Sequence, residues 1–167
     1  MAAVGATRAD GTREAAKATL RAMAEILIAS DARWVVEEVT AALSSVEDTV
    51  REVSRGADVL PAVAEHTPDM AVIDLQIGNM GGMATCLELR LEEGAGRLPR
   101  VPVLMLLDRR ADVFLARRSQ ADGWLVKPLD ALHLRKAITA IAGGGRYEDD
   151  SYRPVTVVAG SGQTTEQ

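Results

Sequence analysis

Read only as hydrophobic and polar positions, the chain falls into short apolar runs separated by amphipathic stretches. EILIA (25–29), MAVID (70–74) and VPVLMLL (101–107) are almost uninterrupted apolar runs. Runs of this length predict strands buried on both faces of a parallel sheet. TVREVS (49–54) alternates and GWLV (123–126) is short and apolar, so both also predict strands. Pro102 is tolerable near the start of the fourth run. Trp34, Val35, Val39, Ala42 and Leu43 carry helical spacing over 33–45. Residues 56–66 predict a second helix, which Pro68 keeps from continuing regularly. Met83, Cys86, Leu87 and Leu91 recur about a turn apart and predict a helix over 82–93. Residues 111–121 and 130–142 complete the series, the last behind Asp130 as a candidate N-cap. Five strands alternating with helical segments predict an α/β fold: a doubly wound parallel sheet with helices on both faces. No internal repeat is present.

The two ends break this rhythm. Residues 1–23 are rich in Ala, Gly and Arg, and 13–23 has only a thin apolar face. They predict a mobile extension or a loosely docked helix, with Met23 as an alternative start. After Ala142 the chain runs through Gly143, Gly144 and Gly145 into a polar, turn-rich tail with one β-like run, Val155–Val158. A largely disordered tail over 143–167 is expected, leaving 24–142 as the folded domain.

Composition narrows the options. At 167 residues the chain has about one domain's length, and 47% hydrophobic content suffices for a core. Aromatics make up only 3%, so that core is aliphatic. A net charge of -5 offers no electrostatic case for binding nucleic acid or an anionic membrane. No apolar stretch approaches the roughly 18 residues that span a bilayer, and the N-terminus lacks a signal-peptide core. Cys86 is the single cysteine, which excludes an internal disulfide and fits a cytoplasmic setting. Cys86 lies on an apolar helical face and reads as a small buried hydrophobe. His66 and His133 lack ligand spacing and read as surface residues, and Trp34 reads as a packing residue.

The candidate chemistry sits where strands end. Asp31 follows the first strand, Asp74 closes the third, and Lys127 follows the fifth. Ligands of open α/β sheets bind outside the carboxyl ends of the strands, where such residues converge. Two carboxylates there make a hard oxygen site suited to Mg²⁺, and a lysine supplies a point charge for phosphate. A carboxylate nucleophile, a divalent cation and a lysine are the parts needed to form an aspartyl phosphate. Taken singly, each has a plainer reading: a strand-end Asp as a turn or helix cap, Lys127 as a solvated lysine. The Arg109–Arg110 and Arg117–Arg118 pairs mark a solvated helix face or a partner surface.

Over residues 25–142 the motifs ILIASDA, PDMAVIDLQIGNMGG, VPVLMLL and GWLVKP, in this order, resemble the receiver domains of two-component response regulators. The resemblance implies a chemotaxis-regulator-like, flavodoxin-like sheet of five strands in the order 2-1-3-4-5. It implies Asp74 as phosphoacceptor, Asp31 as metal-binding acid, the Gln76 carbonyl as backbone metal ligand and Lys127 as the phosphate-contacting lysine. It further implies a cis Lys127–Pro128 bond. Two positions depart from the family pattern. Ser30 stands where the family carries a second acid, and Leu107 where it carries Thr or Ser. Losing an outer-shell partner typically costs about 10- to 100-fold in metal affinity or activity, so Mg²⁺ is expected to bind weakly or not at all. Leu107 cannot hydrogen-bond a phosphoryl oxygen, a bond to a charged group worth roughly 1.5–3 kcal/mol. A full two-state switch needs about 5.5 kcal/mol of differential binding. Trp124 fills the position of the family's switch aromatic, and Asp108 either adds a charge near the site or faces solvent.

AITAIAGGGRY resembles the receiver-to-linker junction of LuxR-type regulators, yet the 20 residues after Tyr147 are too few for their DNA-binding domain. A stand-alone receiver or a shortened chain is expected, with output through protein contacts. The expected partners are a histidine kinase and a protein or second copy. The expected surface is the fourth helix, fifth strand and fifth helix near Phe114, Trp124 and Leu134, or the first and fifth helices. Three functions compete: an atypical receiver phosphorylated at Asp74, a phosphorylation-independent interaction module, and a small flavodoxin-like phosphatase or mononucleotide binder. The last lacks a Gly-rich phosphate loop after the first strand and a catalytic cysteine. Beyond self-phosphorylation from a phosphodonor and its reversal, no enzymatic activity is expected.

Overall fold

The computed structural model describes residues 24–43 and 49–151. The helix considered over 13–23 and the run Val155–Val158 lie outside the described residues. Strands β1 (Glu25–Ala29), β2 (Thr49–Val53), β3 (Met70–Asp74), β4 (Val103–Leu107) and β5 (Gly123–Val126) coincide with the apolar runs to within a residue or two. They alternate with helices α1 (Arg33–Leu43), α2 (Val59–Glu65), α3 (Gly82–Gly94), α4 (Val113–Arg118) and α5 (Ala131–Ala142). Single 3₁₀ turns, Gly56–Asp58 and Arg110–Asp112, lead into α2 and α4. The expected N-cap of α5 is present, with the Asp130 carboxylate accepting from the Leu132 and His133 amides at 3.0 Å.

The sheet is parallel throughout, in the order β2-β1-β3-β4-β5-β6. The first five strands follow the expected order. The sixth, β6 (Tyr147–Glu148), is an addition: the start of the segment expected to leave the fold pairs with the outer edge of β5.

Side chains alternate across the sheet, as the period-2 geometry of strands requires. Ala29, Ile73, Met105, Leu107 and Trp124 face α2, α3 and α4, whereas Ile28, Val72, Leu106 and Leu125 face α1 and α5. Fully burying one Leu or Ile contributes roughly 1.5–3 kcal/mol, so both faces hold the helices. Close approach is needed where α3 meets β3. A Cβ on Gly82 would lie 2.4 Å from the Asp74 carbonyl oxygen, so only glycine lets α3 begin directly behind the end of β3.

Two helix faces differ from the expectation. In α3 the buried side is Thr85, Cys86, Leu89 and Arg90, and Leu91 is exposed. The Arg90 guanidinium sets this rotation. It is buried with hydrogen bonds to the Gln120 and Val101 carbonyls and to the Asp122 carboxylate at 2.9–3.1 Å, and one residue further on points about 100° away around a helix. In α1, Trp34 is 47% exposed and is not part of the core formed by Val35, Val36, Val39, Ala42 and Leu43. The three consecutive apolar residues Trp34, Val35 and Val36 are about 100° apart around the helix and cannot all face one side.

Candidate functional site

Strand register assembles the site. Ala29 lies beside Ile73 and Leu107 beside Val126. The next residue along each strand therefore brings Ser30 level with Asp74, and Asp108 level with Lys127. Backbone bonds extend this order past the strand ends, from the Leu75 amide to the Leu106 carbonyl at 2.9 Å and from the Lys127 amide to the Leu107 carbonyl at 2.7 Å.

Asp74 is buried at the centre, with three donors on its carboxylate. Oδ1 accepts from Lys127 Nζ at 2.9 Å and from the Gln76 amide at 3.1 Å; Oδ2 accepts from Ser30 Oγ at 2.9 Å. The Lys127 and Asp74 side chains are 9% and 2% exposed. A buried ion persists only when it is paired and hydrogen-bonded, and this one is both. Lys127 Nζ also donates to Asp108 Oδ1 at 3.2 Å, so Asp108 belongs to the site. The Trp34 ring lies 5.4 Å from Lys127 Nζ, within cation–π range. Trp34 thus serves the rim of the site.

Asp31 is exposed beside this cluster, and its Oδ2 accepts from the Gly78 amide at 3.1 Å. That bond ties the β3–α3 loop to the end of β1. The Ser30 hydroxyl also accepts from the Ala32 amide at 3.2 Å, so it joins the turn into α1 to Asp74. Among the described residues no group of three or more His, Cys, Asp or Glu side chains is arranged to hold a metal ion. The candidate metal ligands are thus two carboxylates, Asp31 and Asp74, and a backbone carbonyl. Oxygen donors of this kind suit Mg²⁺, which is usually held by one or two carboxylates with waters and phosphate oxygens.

Leu107 and Trp124 are both buried in the same cluster. Leu107 fills with hydrocarbon the end of β4, so no hydroxyl faces the site from this position. The indole Nε1 of Trp124 has no hydrogen-bond partner among the described residues, and the Arg117 guanidinium sits 5.0 Å from the ring centroid. The Lys127–Pro128 bond is cis. Cys86 is buried, its Sγ donates to the Ser119 carbonyl at 3.3 Å, and burial pushes the thiol pKa up. It is a packing residue and not a nucleophile. His66 is exposed and lies 2.7 Å from Glu25, away from the Asp74 cluster.

The expected partner surface needs correction. Trp124 and Leu134 are buried, and β6 pairs with the edge of β5. Only Phe114, 62% exposed on α4, remains of the residues named there. The Tyr147–Glu148 run, two residues long, is too short to carry a period-2 signal, so its pairing with β5 is not legible in the sequence.

Sequence reasoning missed the positive role of Ser30, left the engagement of Asp108 as one of two alternatives, and missed the stacking of Trp34. Register held the signal for the first two. The pairings of Ala29 with Ile73 and of Leu107 with Val126, continued by one residue, place position 30 beside 74 and position 108 beside 127.

Residues 26–139 match the response regulator receiver domain family. The chain is 30% identical over 117 residues to the DNA-binding response regulator MtrA of Mycobacterium tuberculosis. That match covers 69% of this chain and 49% of MtrA, so the chain spans about half the length of such relatives. Among solved structures, a LuxR-family two-component response regulator from Aurantimonas aligns with a TM-score of 0.68 at 25% identity, covering 77% of this chain and 91% of that one. The receiver domain of a Pseudomonas aeruginosa sensor histidine kinase, with a magnesium ion coordinated in its active-site cleft, aligns with a TM-score of 0.65. It is 22% identical, covers 73% of this chain and 99% of that one, and the likeness is one of fold.

Proposed function

The chain belongs to the response regulator receiver domain family of two-component signalling, and on that premise we propose an atypical receiver with Asp74 as phosphoacceptor and output through protein contacts. The observation that carries this reading is the Asp74–Lys127 pair at the carboxyl edge of the sheet, 2.9 Å apart. Asp74 Oδ would attack the phosphorus of a phosphodonor, forming an acyl phosphate as the donor's own bond to phosphorus breaks and its leaving group departs, the imidazole nitrogen of a phosphohistidine or the oxygen of a small acyl phosphate. Lys127 would then shift from the carboxylate to the phosphoryl oxygens. Its second partner, Asp108, keeps it near the site when Asp74 is modified.

Asp31, Asp74 and the Gln76 carbonyl would hold Mg²⁺, whose chemistry here is to neutralise charge on the transferred group. Ser30 adds no charge to this set, and its proton is already committed to Asp74, so weak Mg²⁺ binding is the expected behaviour. A cytoplasmic histidine kinase is the fitting phosphodonor. The same reading places this chain in the cytoplasm; among the described residues no helix is long and apolar enough to cross a membrane.

A second reading, a phosphorylation-independent interaction module, is favoured by one observation. Trp124 is buried in one apolar cluster with Leu107, which has no hydroxyl to offer a phosphoryl oxygen, and this supports a switch biased to one conformer. Under either reading Phe114 on α4 is the candidate contact residue, and a contact through α1 and α5 is the alternative.

Incubating the full chain with Mg²⁺ and a small-molecule phosphodonor, followed by intact-mass measurement, tests the first reading. Slow addition of one phosphoryl group, absent in Asp74→Asn, is expected. No addition to the wild type under forcing conditions discards the phosphoacceptor role and leaves the interaction module.

A further inference from the structure

Asp149 is a buried acid that the Asp74 site does not use. It follows β6, and its Oδ2 accepts from the Val126 amide at 3.0 Å. Its own amide donates to the Trp124 carbonyl at 3.2 Å, and the Tyr147 amide donates to the Asp122 carbonyl at the same distance. Oδ1 accepts from the Ser151 amide at 3.0 Å and turns the chain away. Glu148 pairs with Arg117 at 3.1 Å, the same guanidinium that lies over Trp124. Close packing supports the pairing. A Cβ on Gly123 would lie 2.4 Å from the Tyr147 carbonyl oxygen, nearer than any side chain allows.

We propose that Tyr147–Ser151 is a releasable strap that closes the outer edge of β5, its seating coupled to the Lys127–Asp74 pair. The coupling runs through one strand only four residues long. On its outer side, Val126 is capped by Asp149. On its inner side, the next amide, Lys127, is bonded to Leu107, and the Lys127 side chain reaches Asp74 and Asp108. Loosening the strap frees the end of β5 and so the root of Lys127. Releasing Lys127 from Asp74 leaves its side chain only Asp108 as an anionic partner, which loosens the same strand end and so the strap. Coupling between two such sites is reciprocal by thermodynamic necessity. Any protein that takes the β5 edge must first displace this segment, so the state of Asp74 bears on access to that edge. The inference does not depend on Asp74 accepting phosphate.

Amide hydrogen exchange on the full chain, without phosphodonor, is the test. In the wild type, the Val126, Tyr147 and Asp149 amides are expected to be protected. Asp149→Ala should speed exchange at Val126 by about tenfold or more, the scale of losing a hydrogen bond to a charged acceptor. Asp149→Asn, which keeps an acceptor, should restore most of the protection. The decisive variant is Asp74→Ala, which leaves Lys127 no acceptor at that position and should speed exchange at Val126 and Asp149 while leaving Ile28 and Val72 in the sheet centre unchanged. Unprotected Tyr147 and Asp149 amides in the wild type would refute the strap. Unaltered exchange at Val126 and Asp149 in Asp74→Ala would refute the coupling. Neither result bears on the mass assay for phosphorylation, so the two proposals fail separately.

Discussion

Replacing Lys127 by Met removes the cation and keeps most of the side-chain length. Asp74 would then be a buried carboxylate with only Ser30 Oγ and the Gln76 amide as donors. Breaking a buried pair from one side costs about 3–5 kcal/mol, because the remaining charge has no counterion. The other partner of Lys127, Asp108, is 39% exposed in its side chain and returns to water at little cost. The expected loss is therefore about 3–5 kcal/mol, or roughly 10–20 °C in Tm for a domain of this size. Asp74→Asn alone should cost less, about 1.5–3 kcal/mol, since Lys127 retains Asp108 and partial access to solvent. The double variant removes the orphaned charge and should be clearly more stable than the sum of the two losses implies. Urea denaturation of the four proteins, closed as a double-mutant cycle, measures the difference. Coupling below about 0.5 kcal/mol, the range expected of independent sites, would refute the account of Asp74 and Lys127 as a desolvated, mutually dependent pair.

Three further outcomes follow from the same geometry. Ser30→Asp together with Leu107→Thr should raise apparent Mg²⁺ affinity and phosphodonor labelling by about 10- to 100-fold, read by Trp fluorescence and intact mass. Without Mg²⁺ the same variant should be less stable, since a second buried acid then faces Asp74. Gly82→Ala should cost about 1–3 kcal/mol in urea denaturation, because the new methyl group meets the Asp74 carbonyl at 2.4 Å. Burial favours the neutral form of Asp149, but Ser151, the Val126 amide and His133 of α5 outweigh it and hold the carboxyl below its ordinary range. A carboxyl with a lowered folded-state pKa contributes stability above its unfolded value and loses it as pH falls through the folded one. Protection of the Asp149 amide, corrected for intrinsic exchange, should therefore hold from neutral pH to the ordinary carboxylate range and fall below it. Asp149→Asn should remove that acid limb.

Much of the architecture was legible because strand and helix periods differ. The runs at 25–29, 70–74 and 123–126 mark their strands residue for residue, since burial on both faces leaves no room for polar interruptions. Asp74, Lys127, Ser30 and Leu107 were legible as a set because each stands at or just past the end of such a run. Trp34 and Leu91 were misplaced for a different reason. An apolar residue next to an apolar stripe has the same local pattern whether it faces in or out, and helix rotation is set by the partner surface. For α3 the buried Arg90 decided it.

Local pattern alone determined that this chain makes a parallel α/β sheet with two acids and a lysine at one rim, because strand burial and alternation are written into neighbouring residues. The tertiary structure decided how those groups are partnered: Ser30 bonded to Asp74, Asp108 sharing Lys127, Trp34 over the same ammonium, and Asp149 capping Val126. These contacts join residues from 19 to 93 positions apart. Register and helix rotation bring them together, and both are properties of packed elements that no short window of sequence contains.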